Sequence, residues 1–123
     1  MGFTAQKLSP QKQKIFFEIE NAYVGKKDFK KAKEVAKQAY DLAPQNKEAV
    51  IMYAVAGIVS GDQKLADEFL TKAFGKTAVP DERLASAYLV AKKYAKAIEI
   101  FEAIKVEKPQ FAQQIDAFIN QLP

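Results

Sequence analysis

The chain has 123 residues, nineteen Lys and Arg against fifteen Asp and Glu, and no Cys, His or Trp. That length suits one domain, since single domains commonly run to roughly 100–150 residues. Without thiolate or imidazole the chain by itself builds no zinc or iron–sulfur centre, no Cys–His pair and no Ser–His–Asp triad, so only carboxylate, Lys, Tyr or Mg²⁺ chemistry stays open.

Taken in chain order, residues 1–8 carry no pattern and read as a flexible lead. Ser9-Pro10 predicts a helix start, with Ser capping and Pro at the first helical position. Ile15, Phe16, Ile19, Tyr23 and Val24 then recur at three- and four-residue steps up to Gly25, the spacing of an amphipathic helix. After the turn Lys26-Lys27-Asp28, a second helix carries Phe29, Ala32, Val35, Ala36, Ala39 and Tyr40 and stops at Pro44. Asn46 caps a third helix running to Ser60, and Gly61-Asp62 turns the chain into a fourth with Leu65, Ala66, Phe69, Leu70, Ala73 and Phe74 on its apolar side. Val79-Pro80-Asp81-Glu82 starts a fifth, with carboxylates in the first turn where the helix dipole favours them. Tyr94, Ala97, Ile98, Phe101 and Ile104 mark a sixth, and Phe111, Ile115, Phe118, Ile119 and Leu122 a seventh beyond Pro109. No segment alternates with period two and no hairpin dipeptide occurs, so the fold class is all-α.

The longest apolar run, Val50 to Val59, has ten residues against the roughly 18–20 of a membrane span, so no membrane insertion of this segment is expected. The net charge of +4 is concentrated in Lys26, Lys27, Lys30, Lys31, Lys33 and Lys37. Asp28 and Glu34 interrupt that cluster, which reads as a solvated helix face rather than a nucleic-acid patch. Gly57 and Gly61 suit close packing and a turn, and the pairs Asp67-Glu68 and Glu99/Glu102 lie at solvent-facing spacing rather than in a catalytic cleft.

Aligned on proline, residues 29–44 (FKKAKEVAKQAYDLAP) overlay residues 94–109 (YAKAIEIFEAIKVEKP), an offset of 65 that divides into steps of 34 and 31. Phe16, Ile19, Tyr23, Ala32, Ala39 and Pro44 in the first copy, Val50, Tyr53, Ala54, Ala66, Leu70 and Ala73 in the second, and Leu84, Ala85, Tyr88, Ala97, Phe101 and Pro109 in the third resemble the tetratricopeptide repeat family. Glu20 stands at a small-residue position of that pattern and Ala36 where an aromatic is usual. The resemblance implies a right-handed α-solenoid of about three helical hairpins (about 13–46, 47–77 and 78–111) with a capping helix over about 111–122, the whole of 9–123 being one domain.

It further implies a concave groove, lined by the first helix of each hairpin, that receives a peptide or partner helix without catalysis, cofactor or metal. The groove positions expected to make contact are Phe17, Asn21, Ile51, Met52, Val55, Val59, Arg83 and Leu89. Some family members clamp acidic chaperone tails, but only Asn21 and Arg83 fit that pattern here. A helix as uniformly apolar as 50–59 should be buried on nearly all sides, whether by tight curvature, by the lead with Phe3 and Leu8, by a bound partner, or by a homodimer through the same face. The alternative reading is a structural or self-associating soluble domain of a larger, membrane-anchored bacterial protein. The expected location is the cytoplasm by default and an extracytoplasmic compartment in that second case.

Overall fold

A computed structural model describes residues 9–123, and every regular element among them is helical. The helices are α1 (Pro10–Gly25), α2 (Phe29–Leu42), α3 (Lys47–Ser60), α4 (Gln63–Phe74), α5 (Glu82–Val90), α6 (Tyr94–Glu107) and, after a 3₁₀ turn over Pro109–Phe111, α7 (Ala112–Ile119). The starts of α1 to α5 follow from the short polar residues before them. Ser9 Oγ accepts from the Lys12 amide at 3.1 Å, Asn46 Oδ1 from Ala49 at 3.1 Å, Asp62 Oδ1 from Leu65 at 3.2 Å and Asp81 Oδ1 from Arg83 at 2.8 Å, each satisfying an amide that has no partner inside its own helix.

One turn recurs three times. The Asp28 amide donates to the Tyr23 carbonyl at 2.8 Å, Asp62 to Gly57 at 2.7 Å and Lys93 to Tyr88 at 2.8 Å. The residue before each donor is left-handed: Lys27 at φ 62°, Gly61 at 88° and Lys92 at 60°. This is the six-to-one closure of a helix end, which leads the chain straight into the next antiparallel helix. The three turns are 34 and 31 residues apart, the same steps as the sequence overlay. Ala43 and Lys108, each before a proline, end α2 and α6 with closely similar angles (φ −150°, ψ 73° and φ −130°, ψ 72°), as the clash with a following proline ring demands. The middle hairpin departs from this ending: α4 stops at Gly75, with φ 77°.

Tertiary packing centres on α3, which touches α1, α2, α4 and α5, while α6 packs on α5 and α7 on α6. All eleven residues from Ala49 to Val59 are buried, so the uniform apolarity of this helix is matched by burial on every side. Ile51, Ile58, Leu70, Leu84, Tyr88 and Ile100 are the large members of one core region. Met52 and Tyr53 form another with Ala36 and Ala39, closed by Phe16, Tyr40 and Phe69. The Tyr40, Tyr53 and Phe69 rings pack with centroids 4.9–5.4 Å apart. Ala32, Ala66 and Ala97 are fully buried, as the close approach of neighbouring helices requires.

Gly57 marks another close approach, between α3 and α4. A Cβ there would stand 3.0 Å from Leu65 Cδ2 and 3.1 Å from the Asp62 carbonyl oxygen, and the carbonyl is fixed by the turn into α4. Gly57→Val is therefore expected to lower stability by about 2 kcal/mol despite its better helix propensity. Urea unfolding followed by circular dichroism checks this, and an unchanged midpoint would show that α3 and α4 are not this close.

The packing corrects the expected face of α1. The three- and four-residue spacing places Ile15 and Ile19 on its apolar side, yet they are 50% and 40% exposed, and the residue buried in full is Glu20. The inward stripe runs through Phe16, Phe17, Glu20, Tyr23 and Val24, an equally good helical spacing. Hydrophobic periodicity could not choose between the two stripes, because apolar residues occupy both.

Candidate functional site

The inner ends of α1, α3 and α5 meet at Arg83. Its position follows from the α5 start: Asp81 caps the helix and, from the same carboxylate, accepts from Arg83 Nε at 3.0 Å and Nη2 at 2.6 Å. The other side of the guanidinium crosses to α3, donating to Glu48 through Nη1 at 2.6 Å and Nη2 at 3.2 Å. Its Cζ stands 5.4 Å from the centre of the Phe17 ring on α1, an approach that favours cation–π attraction. Burial pushes the Asp81 carboxyl up, but the guanidinium more than offsets this and holds it below the ordinary carboxylate range. Hydrogen bonding to Asp81 raises the pKa of Arg83, which stays charged.

The Phe17–Arg83 contact forms a ridge between three open clefts. One, of about 290 Å³, is lined by Phe17, Asn21, Val55, Val59 and Arg83 together with Ser86 and Val90. A second, of about 250 Å³, holds Phe17, Glu48, Met52 and Arg83 beside Pro10 and Lys14. The largest, of about 620 Å³, runs from Phe17 and Asp81–Arg83 to Phe101 and Ile104 on α6 and Phe111, Ile115 and Phe118 at the chain's far end. Phe101 and Phe118 meet edge to face at 5.4 Å, and Lys105 ties the two helices by reaching Asp116 at 2.5 Å.

The predicted contact residues fall into two groups. Phe17, Asn21 and Arg83 are accessible in full or in part and border these clefts. Ile51, Met52, Val55 and Val59 are only 1–8% exposed, so they form the floor or the interior and present little surface to a partner. Ile51 belongs wholly to the core, and Leu89 packs against it. Phe3 and Leu8, considered as a filling for the groove, lie outside the described residues. Compared with protein-family models, curated proteins and solved structures, the chain matches none. Sequence reasoning missed the wall supplied by Phe111, Ile115 and Phe118, although three apolar residues at helical spacing on a terminal helix were the available signal.

Two further features bear on chemistry. Glu20, one turn from Phe17 on α1, is fully buried, and neither carboxyl oxygen has a hydrogen-bond partner. Burial pushes its pKa up to about 9, with Arg83 pulling weakly the other way, so the group is a neutral acid at neutral pH. Among the described residues no three Asp or Glu side chains converge to hold a metal ion, and no helix is long and apolar enough to cross a membrane. Within the lysine-rich stretch, Lys33 pairs with Asp62 at 3.0 Å and Lys37 with Asp41 at 2.8 Å, which draws two of its charges into the protein's own surface network.

Proposed function

We propose that the chain is a protein–protein interaction module, a right-handed stack of three tetratricopeptide-like hairpins that grips a peptide or partner helix and performs no chemistry of its own. The repeat reading is supported by the turn that recurs at 34- and 31-residue intervals with one hydrogen-bond pattern and one left-handed residue each time. The binding reading is carried by the cleft of about 620 Å³, a size in the range of about 300–1,000 Å³ typical of ligand pockets. Phe17, Phe101, Ile104, Phe111, Ile115 and Phe118 wall it, and Asp81, Arg83 and Lys108 at its edge supply polar contacts that would fix orientation. Compared with the groove expected along α3, the binding surface is thus moved toward the α6–α7 end, because α3 is committed to the core.

Panning a random peptide library against the full chain is expected to yield sequences with several apolar anchors. Their affinity should fall about tenfold or more on Phe118→Asp, as loss of a buried aromatic anchor does, with helicity retained. Phe118 is 41% exposed, so this substitution does not threaten the core. Binders indifferent to it, or a library that yields none, would overturn the reading. A self-associating structural domain is the second reading, favoured by the exposure of Val106 (85%), Phe111 (48%) and Phe118 at one end. A monomer in sedimentation at micromolar concentration would remove it.

A further inference from the structure

Among the described residues, Glu20 is the buried ionisable side chain that no hydrogen bond satisfies. It sits in the middle of the inward stripe of α1, between Phe16 and Phe17 on one side and Tyr23 and Val24 on the other, against α2 and α3. The positions 34 and 65 residues further on are Ala54 and Ala85, both fully buried. The same register places Ala36 of the first hairpin opposite Leu70 and Phe101 of the others, so the smaller residue on α2 accompanies the larger one on α1. The position is an interior packing site in all three hairpins, and in the first alone it carries a proton.

The charged and titratable groups of the surrounding helices are either engaged elsewhere or exposed. On α2, Lys33 is held by Asp62 and Lys37 by Asp41, Lys30, Lys31 and Glu34 are exposed, and the Tyr40 ring packs at a tilt against Tyr53 of α3 and Phe69 of α4. On α3, Lys47 lies over the Phe74 ring and Glu48 is taken by Arg83, whose guanidinium is shared with Asp81 on α5. Lys14 and Glu18 on α1 itself are exposed. Of all these, Arg83 is the one whose charge acts on the Glu20 carboxyl, and it donates no hydrogen bond to it. An ionised Glu20 in the docked helix would therefore have neither water nor a donor.

We propose that Glu20 makes the seating of α1 on α2 and α3 dependent on a proton: with the carboxyl neutral the helix stays docked, and with it ionised α1 swings outward, hydrating the carboxylate and uncovering the α3 surface beneath Phe17. The topology permits this. α1 is the first helix of the described chain, its opposite side with Ile15 and Ile19 faces solvent, and the α3–α4 and α5–α6 pairings do not involve it. The docked acid, pushed up to about 9 by burial, holds a proton that a hydrated carboxyl near 4.5 gives up. Undocking thus becomes about tenfold more favourable for each pH unit between those limits.

Hydrogen exchange of the full chain at pH 6 and pH 8, corrected for the intrinsic pH dependence of exchange, reads this directly. Protection of α1 amides is expected to fall about a hundredfold across that interval and to lie well below that of α6 at both pH values, because α1 opens without the rest of the chain. In Glu20→Gln, and in the volume-matched Glu20→Met should the first not fold, α1 protection should be the same at both pH values. Equal α1 protection at the two pH values in the wild type would overturn the proposal. So would α1 protection equal to that of α6 at both pH values, which signals exchange by global unfolding alone, or an undiminished loss in the uncharged variants.

Discussion

Glu20→Met should be more stable than the wild type by about 3 kcal/mol at pH 7, and by about 1 kcal/mol at pH 5, because a buried acid has been exchanged for an apolar side chain of similar volume. The direction follows from where the proton is held. The folded chain keeps Glu20 protonated up to about 9, whereas the unfolded chain releases the proton near 4.5. The wild type is therefore at full stability below the unfolded value and loses about 1.4 kcal/mol per pH unit as pH rises toward the folded one. The variant has no such group, so the gap between the two should widen with pH. Urea unfolding by circular dichroism at pH 5, 7 and 8.5 measures it, and the difference isolates Glu20 from every other titrating group. A gap that does not change with pH would mean that the carboxyl is hydrated or partnered in the folded protein.

Met52→Asp is expected to remove a large share of the chain's stability. Met52 is 1% exposed beneath the Phe17–Arg83 ridge, with the Ala36 and Tyr53 region around it. The substitution removes buried apolar area and leaves a carboxylate without a partner, a combined loss of about 4–6 kcal/mol against a total stability of roughly 5–15 kcal/mol. Val55→Asp, at 6% exposure, should follow it. Phe118→Asp, at the open cleft, should keep its helical spectrum, which makes it the internal control. An unchanged urea midpoint in Met52→Asp would return the α3 face to the surface and revive it as the binding groove. The contrast matters because a reading of periodicity alone treats Met52 and Phe118 alike, as apolar residues on one face of a helix.

Much of the fold was legible because it is encoded locally. Ser9, Asn46, Asp62 and Asp81 cap the helices they precede, Pro44 and Pro109 end those they follow, and Gly61 takes the left-handed turn. Each depends on a hydrogen bond or steric clash within a few residues, so a short stretch of sequence suffices to specify it. The uniform apolarity of Val50–Val59 likewise announced a helix buried on all sides. The candidate site was legible only at Phe17, Asn21 and Arg83. The groove expected along α3 presupposed that Ile51 and Met52 look outward, and the placement of α1 and α5 against α3 decided otherwise.

The opening composition of 123 residues without Cys or His bounded what this protein can do, and the order of capping and turn residues determined an all-helical chain and its 34- and 31-residue rhythm. Tertiary structure alone decided which stripe of α1 turns inward, since Ile15–Ile19 and Phe16–Glu20 are equally good helical faces and only the fit against α2 and α3 separates them. It also decided the Arg83 bridge to Glu48 and Phe17, which joins residues 35 or more positions apart, and the cleft that α7 completes. Contacts of that kind depend on how helices cross, and helix crossings are set by the packing of whole side-chain surfaces rather than by any local signal.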